Sequence, residues 1–230
     1  MITVKRVFFS AALFTFCLLL TVAGGYAEVS QPDYQPVLDF WFGTLVDGYP
    51  QEERRQLWFM GKPEDDRTIE KKFGMLTMQA VEGQLSSWEE SPKGRLALII
   101  LLDQFTRSIY RSTAAAFSGD YRAQLLARDA INKGWDTQLA LAERQFIYMP
   151  LMHSESLSDQ ELCISTFKQL ARDAPAARQE YVKGSIHYAE EHRDLIVRFG
   201  RFPHRNKALG RQSTEKELEH LAAGASTYGQ

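Results

Sequence analysis

The chain has 230 residues, of which 44% are hydrophobic and 24% charged. This composition is enough for one domain with a sizeable buried core. The formal net charge of −2 excludes the class of proteins that hold nucleic acid on a strongly basic surface, so we expect no nucleic-acid partner.

Residues 1–27 have the composition of a secretory signal peptide. Lys5 and Arg6 precede an apolar run over 7–25, and Ala27 supplies a small residue where a signal peptidase would cut. We therefore expect cleavage at this point and export of the protein, either to a periplasm or out of the cell. The run is also near the lower length limit for a membrane span, so an uncleaved membrane anchor over 7–25 is the alternative.

The rest of the chain is predicted to form a linker, one domain and a tail. Pro32 and Pro36 bracket a linker over residues 28–36, an all-helical domain follows over 37–221, and residues 222–230 form a flexible tail. Cleavage would remove one of the two cysteines. An intramolecular disulfide is then excluded, so the stability of the fold must come from its core.

Apolar residues recur at helical spacing in a series of segments that prolines, glycines and capping residues bound. The segments predicted as helices are 37–42, 52–59, 65–85, 92–102, 120–133, 139–152, 158–172, 176–199 and 214–221. The connections between them are short, and no repeat of fixed period is present. This pattern predicts a single all-α domain built as an array of helical hairpins.

Two of these helices carry long apolar runs. Seven consecutive apolar residues over 96–102 indicate a helix that is buried on every side. A buried parallel strand has the same pattern, but Ser91 is a good helix cap and favours the helix. In the helix over 139–152, Pro150 is expected to kink or end the helix because proline lacks the backbone N–H.

Helix ends are also marked in the second half of the chain. Ser158 with Glu161, and Thr214 with Glu217, have the spacing of a capping box at a helix start. Gly200 is well placed to end the long helix before it, because glycine readily adopts the left-handed conformation that closes a helix.

Three apolar helical segments lead directly into polar clusters, after Leu102, Met152 and Phe199. Three separate clusters would need three separate ways to compensate semi-buried charges, so we expect the three ends to meet at one pocket. The predicted pocket residues are Asp103, Arg107, Arg111, His153, Glu155, His192, Arg193, Arg201, His204 and Arg205.

Helical geometry suggests two pairs within this set. Asp103 and Arg107 are four residues apart and can form an ion pair on one helical face. His192 shares an apolar stripe of its helix and Arg193 borders another, whereas Asp194 lies on the solvated face. His192 and Arg193 are therefore the predicted functional pair of that helix.

Three functions fit these residues. A binding module would hold an anionic small molecule or an acidic peptide, because guanidinium groups bind carboxylates and phosphates through two parallel hydrogen bonds. In an enzyme, the same pocket would use acid/base groups or metal ligands drawn from His153, Glu155, His192 and His204. The spacing matches no known metal-binding or catalytic motif, and it points to no particular cofactor. In the third reading, these polar groups only tie helix ends together.

Four motifs resemble one known family. They are LDFWFG (38–43), LALIILLDQFTRSIYR (96–111), FIYMPLMHSE (146–155) and HRDLIVRFGRFPHRN (192–206), in an order and spacing similar to the uncharacterised domain-of-unknown-function family 924. The resemblance implies an all-α fold similar to tetratricopeptide-like helical hairpins. It implies no established reaction, so no catalytic residue is carried over. Thr106 stands where relatives usually have proline, and the export signal is not typical of the family.

Overall fold

The computed structural model describes residues 32–224 and residue 226. The predicted signal peptide over 1–27, and with it the alternative anchor over 7–25, lies outside the described residues. Helices make up almost all of the regular structure, so the prediction of an all-α fold is confirmed.

The α-helices are connected by short turns and, in one place, by a small hairpin. They are α1 (Gln35–Phe42), α2 (Arg55–Phe59), α3 (Pro63–Val81), α4 (Pro92–Ile99), α5 (Thr106–Ile109), α6 (Asp120–Asn132), α7 (Leu141–Met152), α8 (Leu157–Asp173), α9 (Gln179–Phe199) and α10 (Glu215–Ala222). Short 3₁₀ helices occupy Ser86–Glu90, Ala114–Phe117, Asp136–Gln138, Ala176–Arg178 and Pro203–Arg205. The hairpin pairs β1 (Leu45–Val46) with β2 (Tyr49–Pro50) in antiparallel register.

The centre of the fold is the helical segment that begins with α4. Every residue over 96–102 is 0% exposed, and the segment is surrounded by α1, α3, α6 and α7. Burial of one leucine or isoleucine side chain contributes roughly 1.5–3 kcal/mol. The predicted central helix is thus present and forms the largest continuous part of the core.

Aromatic rings hold α1 and α2 onto this core. The ring centroid of Trp41 lies 5.4 Å from that of Phe105 and 5.5 Å from that of Phe146. Trp58 lies 4.9 Å from Phe146, and its indole N–H donates a 2.9 Å hydrogen bond to the carbonyl of Trp41. These edge-on contacts between rings stabilise the N-terminal helices beyond the apolar area that they bury.

The central helix does not end at Leu102 as expected. A six-residue π-helix, Ile100–Phe105, continues it into α5, so the helical segment runs to Ile109. The hydroxyl of Thr106 donates a 2.8 Å hydrogen bond to the carbonyl of Leu102, which satisfies one acceptor of the widened turn. Gly119 packs directly against this turn, where a Cβ atom would clash with the same carbonyl. The chain therefore turns into α6 in close contact with the π-helix.

The end of α7 also differs from the sequence expectation. The helix passes through Pro150 and ends at Met152, so of the two expected effects of Pro150, a kink or an end, the end does not occur. Pro150 and the residues beside it are buried, and tertiary packing outweighs one missing backbone hydrogen bond. This extension places His153 at the C-terminal cap of α7.

Helix capping was predicted correctly at some ends and wrongly at others. Gly200 ends α9 in the left-handed conformation, at φ +70°, and Thr214 and Glu217 form the predicted capping box of α10. The capping box expected at Ser158 and Glu161 is wrong, because α8 begins earlier, at Leu157. Likewise, α1 begins at Gln35, inside the predicted linker, and α3 ends at Val81 rather than at residue 85.

Candidate functional site

A cavity of about 500 Å³ opens between α2, the π-helix, α5, α7 and α9, and we call it the central cavity. Its apolar wall consists of Trp41, Leu57, Trp58, Phe59, Met149, Met152 and Phe167. Its polar wall includes Arg55, Gln104, Arg107, Arg111, Gln145, His153, Glu180, Tyr181 and His192. A concave site of this size with a few polar groups is typical of small-molecule binding sites.

A carboxylate and an imidazole are paired at the edge of the cavity. Asp103 lies in the π-helix and its side chain is 1% exposed, whereas His153 caps α7 and lines the cavity. The Nδ1 atom of His153 lies 2.8 Å from Oδ1 and 3.0 Å from Oδ2 of Asp103. Since a carboxylate only accepts hydrogen bonds, Nδ1 carries the proton and Nε2 is the ring nitrogen not bound to Asp103.

Asp103 stays ionised in this position. Burial alone would raise its pKa, but the charges of His153 and Arg107 outweigh burial and hold the pKa at about 2. Gln104 adds a hydrogen bond from its side-chain amide to Oδ2. The buried carboxylate is therefore compensated from three sides, as an ionised group in a core must be.

Arg107 links this pair to a second carboxylate. Its guanidinium lies 3.4 Å from Asp103 and donates two hydrogen bonds to Asp120, at 2.8 and 3.1 Å, and one to the carbonyl of Ala116, at 3.0 Å. Burial would lower the pKa of Arg107, but Asp120 and Asp103 outweigh it and raise the pKa. The predicted ion pair between Asp103 and Arg107 is thus part of a larger charged network.

His192 borders the same cavity with a different partner. Its Nδ1 lies 2.7 Å from the carbonyl oxygen of Tyr188, so Nδ1 carries the proton here too. The ring centroids of His192 and His153 are 6.2 Å apart. Burial, and next the charge of His153, lower the pKa of His192 to about 3. His192 is therefore neutral over the physiological pH range.

A second polar layer lies behind these residues. Arg205 lies 3.3 Å from Asp120, and its guanidinium packs 4.5 Å from the ring of Phe202 and 4.9 Å from that of Phe117. Burial, and next the charge of Arg107, lower the pKa of Arg205 to about 10. His204 packs on Phe202 with centroids 5.5 Å apart, and burial, followed by the charge of Arg205, lowers its pKa to about 3.

Two further predicted residues, Glu155 and Arg201, belong to another polar group. Together with Arg211 and Glu217, they form what we call the C-terminal clasp. The carboxylate of Glu155 accepts hydrogen bonds from Arg211, at 2.7 and 2.9 Å, and from the backbone N–H of Phe202, at 2.8 Å. Arg201 binds Glu217 at 2.6 and 2.8 Å. The clasp residues do not line the central cavity.

The remaining two predicted residues, Arg111 and Arg193, lie in different parts of the structure. Arg111 lines the cavity and binds the carboxylate of Asp66 at 2.8 and 2.9 Å. Arg193 lies on the outer side of α9, 2.7 Å from Asp194. The expected functional pair of His192 with Arg193 is therefore not brought together. Periodicity located the backbone of Arg193 well, but its long side chain reaches back to the neighbouring carboxylate on the solvated face.

Several cavity residues were missed in the sequence. Tyr181, Ser185 and Tyr188 follow each other at intervals of four and three residues along one face of α9, with the predicted residue His192 four residues after Tyr188 and Gly184 beside them. The small and polar residues among the tyrosines are a signal that this face borders open space rather than core. Arg55 lies in a charged turn and gave no such signal.

No metal site is present in the part of the chain that the structure describes: no three histidine, cysteine, aspartate or glutamate side chains are grouped as ligands. Glu155 is bound by Arg211, so the four residues considered as metal ligands do not converge. Among residues 32–224, no helix combines the length and the hydropathy needed to cross a bilayer.

Comparison with other proteins adds a family but no activity. A family model described as "Bacterial protein of unknown function" (DUF924) matches residues 37–225. A solved structure of a protein of unknown function from Agrobacterium tumefaciens is similar, with 32% sequence identity and a TM-score of 0.67 over 83% of this chain and 97% of that chain. No curated protein matches. The resemblance of the four motifs is thus confirmed, and the chain belongs to the DUF924 family of bacterial proteins.

Proposed function

We propose that the central cavity binds a small organic anion. One observation carries this proposal: three arginines, Arg55, Arg107 and Arg111, line the cavity, and Glu180 is the one carboxylate among its described lining residues. Guanidinium groups at a concave surface can donate paired hydrogen bonds to a bound anion. The volume of about 500 Å³ favours a small molecule over an acidic peptide.

The three arginines are not equally available to a ligand. Arg107 is bound by Asp103 and Asp120, and Arg111 is bound by Asp66. Arg55 is exposed, lines the cavity, and takes part in none of the ion pairs found among the described residues. We therefore assign the main contact with the ligand's anionic group to Arg55, and a supporting contact to Arg111.

The apolar wall defines the rest of the ligand. Trp58, Met149 and Phe167 present aromatic and thioether groups, which bind flat or aliphatic groups by dispersion and by burial of apolar area. A ligand with one anionic group and one apolar group matches this lining better than a fully charged ion such as phosphate.

Anilinonaphthalene sulfonate, a fluorescent aromatic sulfonate, is a suitable probe because it combines the two groups. We expect Arg55→Ala to weaken its binding about fivefold, equivalent to about 1 kcal/mol for a partly exposed ion pair. Arg193→Ala is the matched control, since Arg193 is a surface arginine outside the cavity. An equal loss in both variants, or in neither, would contradict the proposal.

The location of the protein is part of the same proposal. We infer export on the composition of residues 1–27, with a mature chain that begins at Glu28. The mass of the intact protein from its native host tests this inference: a mass that retains residues 1–27 would favour the membrane anchor.

We also propose that the helices have a tetratricopeptide-like arrangement. The packing of α6, α7, α8 and α9 in sequence order supports it.

A further inference from the structure

The pairing of His153 with Asp103 goes beyond what anion binding requires. A buried carboxylate that accepts the Nδ1 proton fixes the tautomer and the orientation of an imidazole, and it stabilises the charge that appears when Nε2 takes up a proton. His187 also has a carboxylate neighbour, Glu191 at 3.4 Å, but this pair lies on an exposed surface, where orientation is weak. Of His153 and His187, His153 is the one that lines the central cavity.

The backbone conformation around Asp103 supports a role for this residue beyond packing. The six-residue π-helix is a rare conformation that is found frequently at functional sites. The π-helix contains Asp103, which binds His153, and Gln104, which donates a hydrogen bond to Asp103.

The charged and titratable side chains around His153 come from five elements. Asp103 and Arg107 lie on the π-helix and α5, Asp120 lies on α6, His192 lies on α9, and Arg205 lies in the 3₁₀ turn. Arg107 and Arg205 balance the two carboxylates, so Asp103 is not neutralised by a proton. The guanidinium of Arg107 also lines the cavity, where it can stabilise a negative charge that develops on a bound molecule.

We propose that His153, positioned by Asp103, is a general base that activates water for hydrolysis of a carboxylic ester carried by the anion in the central cavity. In this step Nε2 takes a proton from water while the water oxygen forms a bond with the acyl carbon. The bond between that carbon and the ester oxygen then breaks, and the imidazolium returns the proton to the leaving alkoxide. The products are an alcohol and a carboxylic acid, which releases its remaining proton to the solvent and becomes a carboxylate. Hydrolysis needs no co-reactant other than water, and the inference rests on the proposed binding of an anion.

The test uses the full chain and two ester probes, the anionic p-nitrophenyl succinate and the neutral p-nitrophenyl acetate. We expect the succinate to be hydrolysed with the higher kcat/KM, and the rate to fall at acid pH, where a protonated imidazole cannot act as a base. His153→Gln should lower kcat by about 100-fold or more, the range for loss of a general base. The matched control is His187→Gln, which should leave kcat unchanged.

Asp103 is a positioning residue in this proposal, and its variant needs a readout that a structural role would not move. In Asp103→Asn the amide can stabilise the other tautomer of His153, so we expect a loss of kcat with little change in KM and an altered pH profile. NMR of the ring nitrogens in the wild-type protein should show the proton on Nδ1 of His153. A proton on Nε2 would overturn the proposal even if Asp103→Asn did not fold.

Different results would contradict the proposed anion binding and the proposed general base. If the wild-type protein binds anilinonaphthalene sulfonate but hydrolyses neither ester, the general base is excluded and anion binding stands. If it hydrolyses the esters but His153→Gln does not slow the reaction, hydrolysis comes from elsewhere and the inference is likewise overturned. Loss of hydrolysis in His153→Gln with sulfonate binding retained is the supporting result.

Discussion

The central cavity and the C-terminal clasp contain the same kinds of side chain, but they use them differently. In the clasp, Arg211 donates hydrogen bonds to Glu155, to the side chain of Asn206 and to the carbonyl of Phe202, and it does not line the central cavity. In the cavity, Arg107 is held by Asp103 and Asp120, yet it still borders about 500 Å³ of open space. A paired arginine is therefore no sign of a site until its surroundings are known.

The clasp has the properties of a structural connection. The carboxylate of Glu155, just after α7, binds the backbone N–H of Phe202, just after α9, while Arg201 joins the end of α9 to α10 through Glu217. These contacts hold three helix ends together. The hypothesis of a purely structural role thus describes this region well, whereas the cavity supports the proposals of binding and catalysis.

The substitution with the largest expected effect should unfold the protein, and with it both the cavity and the clasp. Leu101→Asp would place an unpaired carboxylate at a position that is 0% exposed, which costs several kcal/mol against a total stability of about 5–15 kcal/mol. We expect no cooperative melting by circular dichroism. Leu125→Asp is the control, because Leu125 is 44% exposed on α6 and its substitution should change stability by about 0.5 kcal/mol or less. Cooperative melting of Leu101→Asp would show that neither region depends on this core.

Acid should affect the stability of the two regions over different pH ranges. Burial holds the pKa values of His192 and His204 at about 3, below the ordinary histidine value of about 6.5. As pH falls below about 6.5, the unfolded chain takes up protons that the folded protein does not, so stability is lost until about pH 3. In the clasp, a hydrogen bond from Arg201 is the main cause that lowers the pKa of Glu217 to about 2. Its contribution is present above about pH 4.5 and is lost only as pH falls towards 2.

Urea unfolding between about pH 7.5 and pH 5 checks this difference. Each buried neutral histidine should make stability fall by up to about 1.4 kcal/mol per pH unit once pH is well below 6.5. His192→Gln should therefore have a visibly shallower pH dependence than the wild-type protein. Glu217→Gln should follow the wild-type slope in this range and depart from it only at lower pH. An unchanged slope in His192→Gln would mean that His192 is not a buried neutral group.

The fold was more predictable from the sequence than the cavity was. Apolar runs and helix-capping residues are local signals, so they identified the core over 96–102 and the glycine stop at Gly200, while the motifs identified the family. The π-helix had no such local signal, because the close packing of Gly119 against Leu102 arises only in the folded protein. Asp103, which binds His153, lies within this π-helix.

Side-chain reach limited the prediction of the cavity in the same way. Spacing on a helix places a Cβ atom, but an arginine guanidinium can lie well away from it. Arg193 and Arg111 were both predicted pocket residues, yet Arg193 binds Asp194 on the surface and Arg111 lines the cavity. Arg55 entered the cavity from a separate helix, α2, and only tertiary structure could show this.

The substitution with the smallest expected effect, Arg201→Ala, distinguishes the clasp from the cavity most directly. Arg201 was a predicted pocket residue, but its side chain is in the clasp, 29% exposed, and its partner Glu217 also accepts the 2.7 Å hydrogen bond from the backbone N–H of Thr214. Arg201→Ala should therefore lower the melting temperature by a few degrees at most and leave the affinity for anilinonaphthalene sulfonate unchanged. Arg55→Ala should do the reverse, because Arg55 has no ion pair to lose but lines the cavity. If Arg201→Ala instead weakened sulfonate binding as much as Arg55→Ala, the clasp and the cavity would have to be treated as one site.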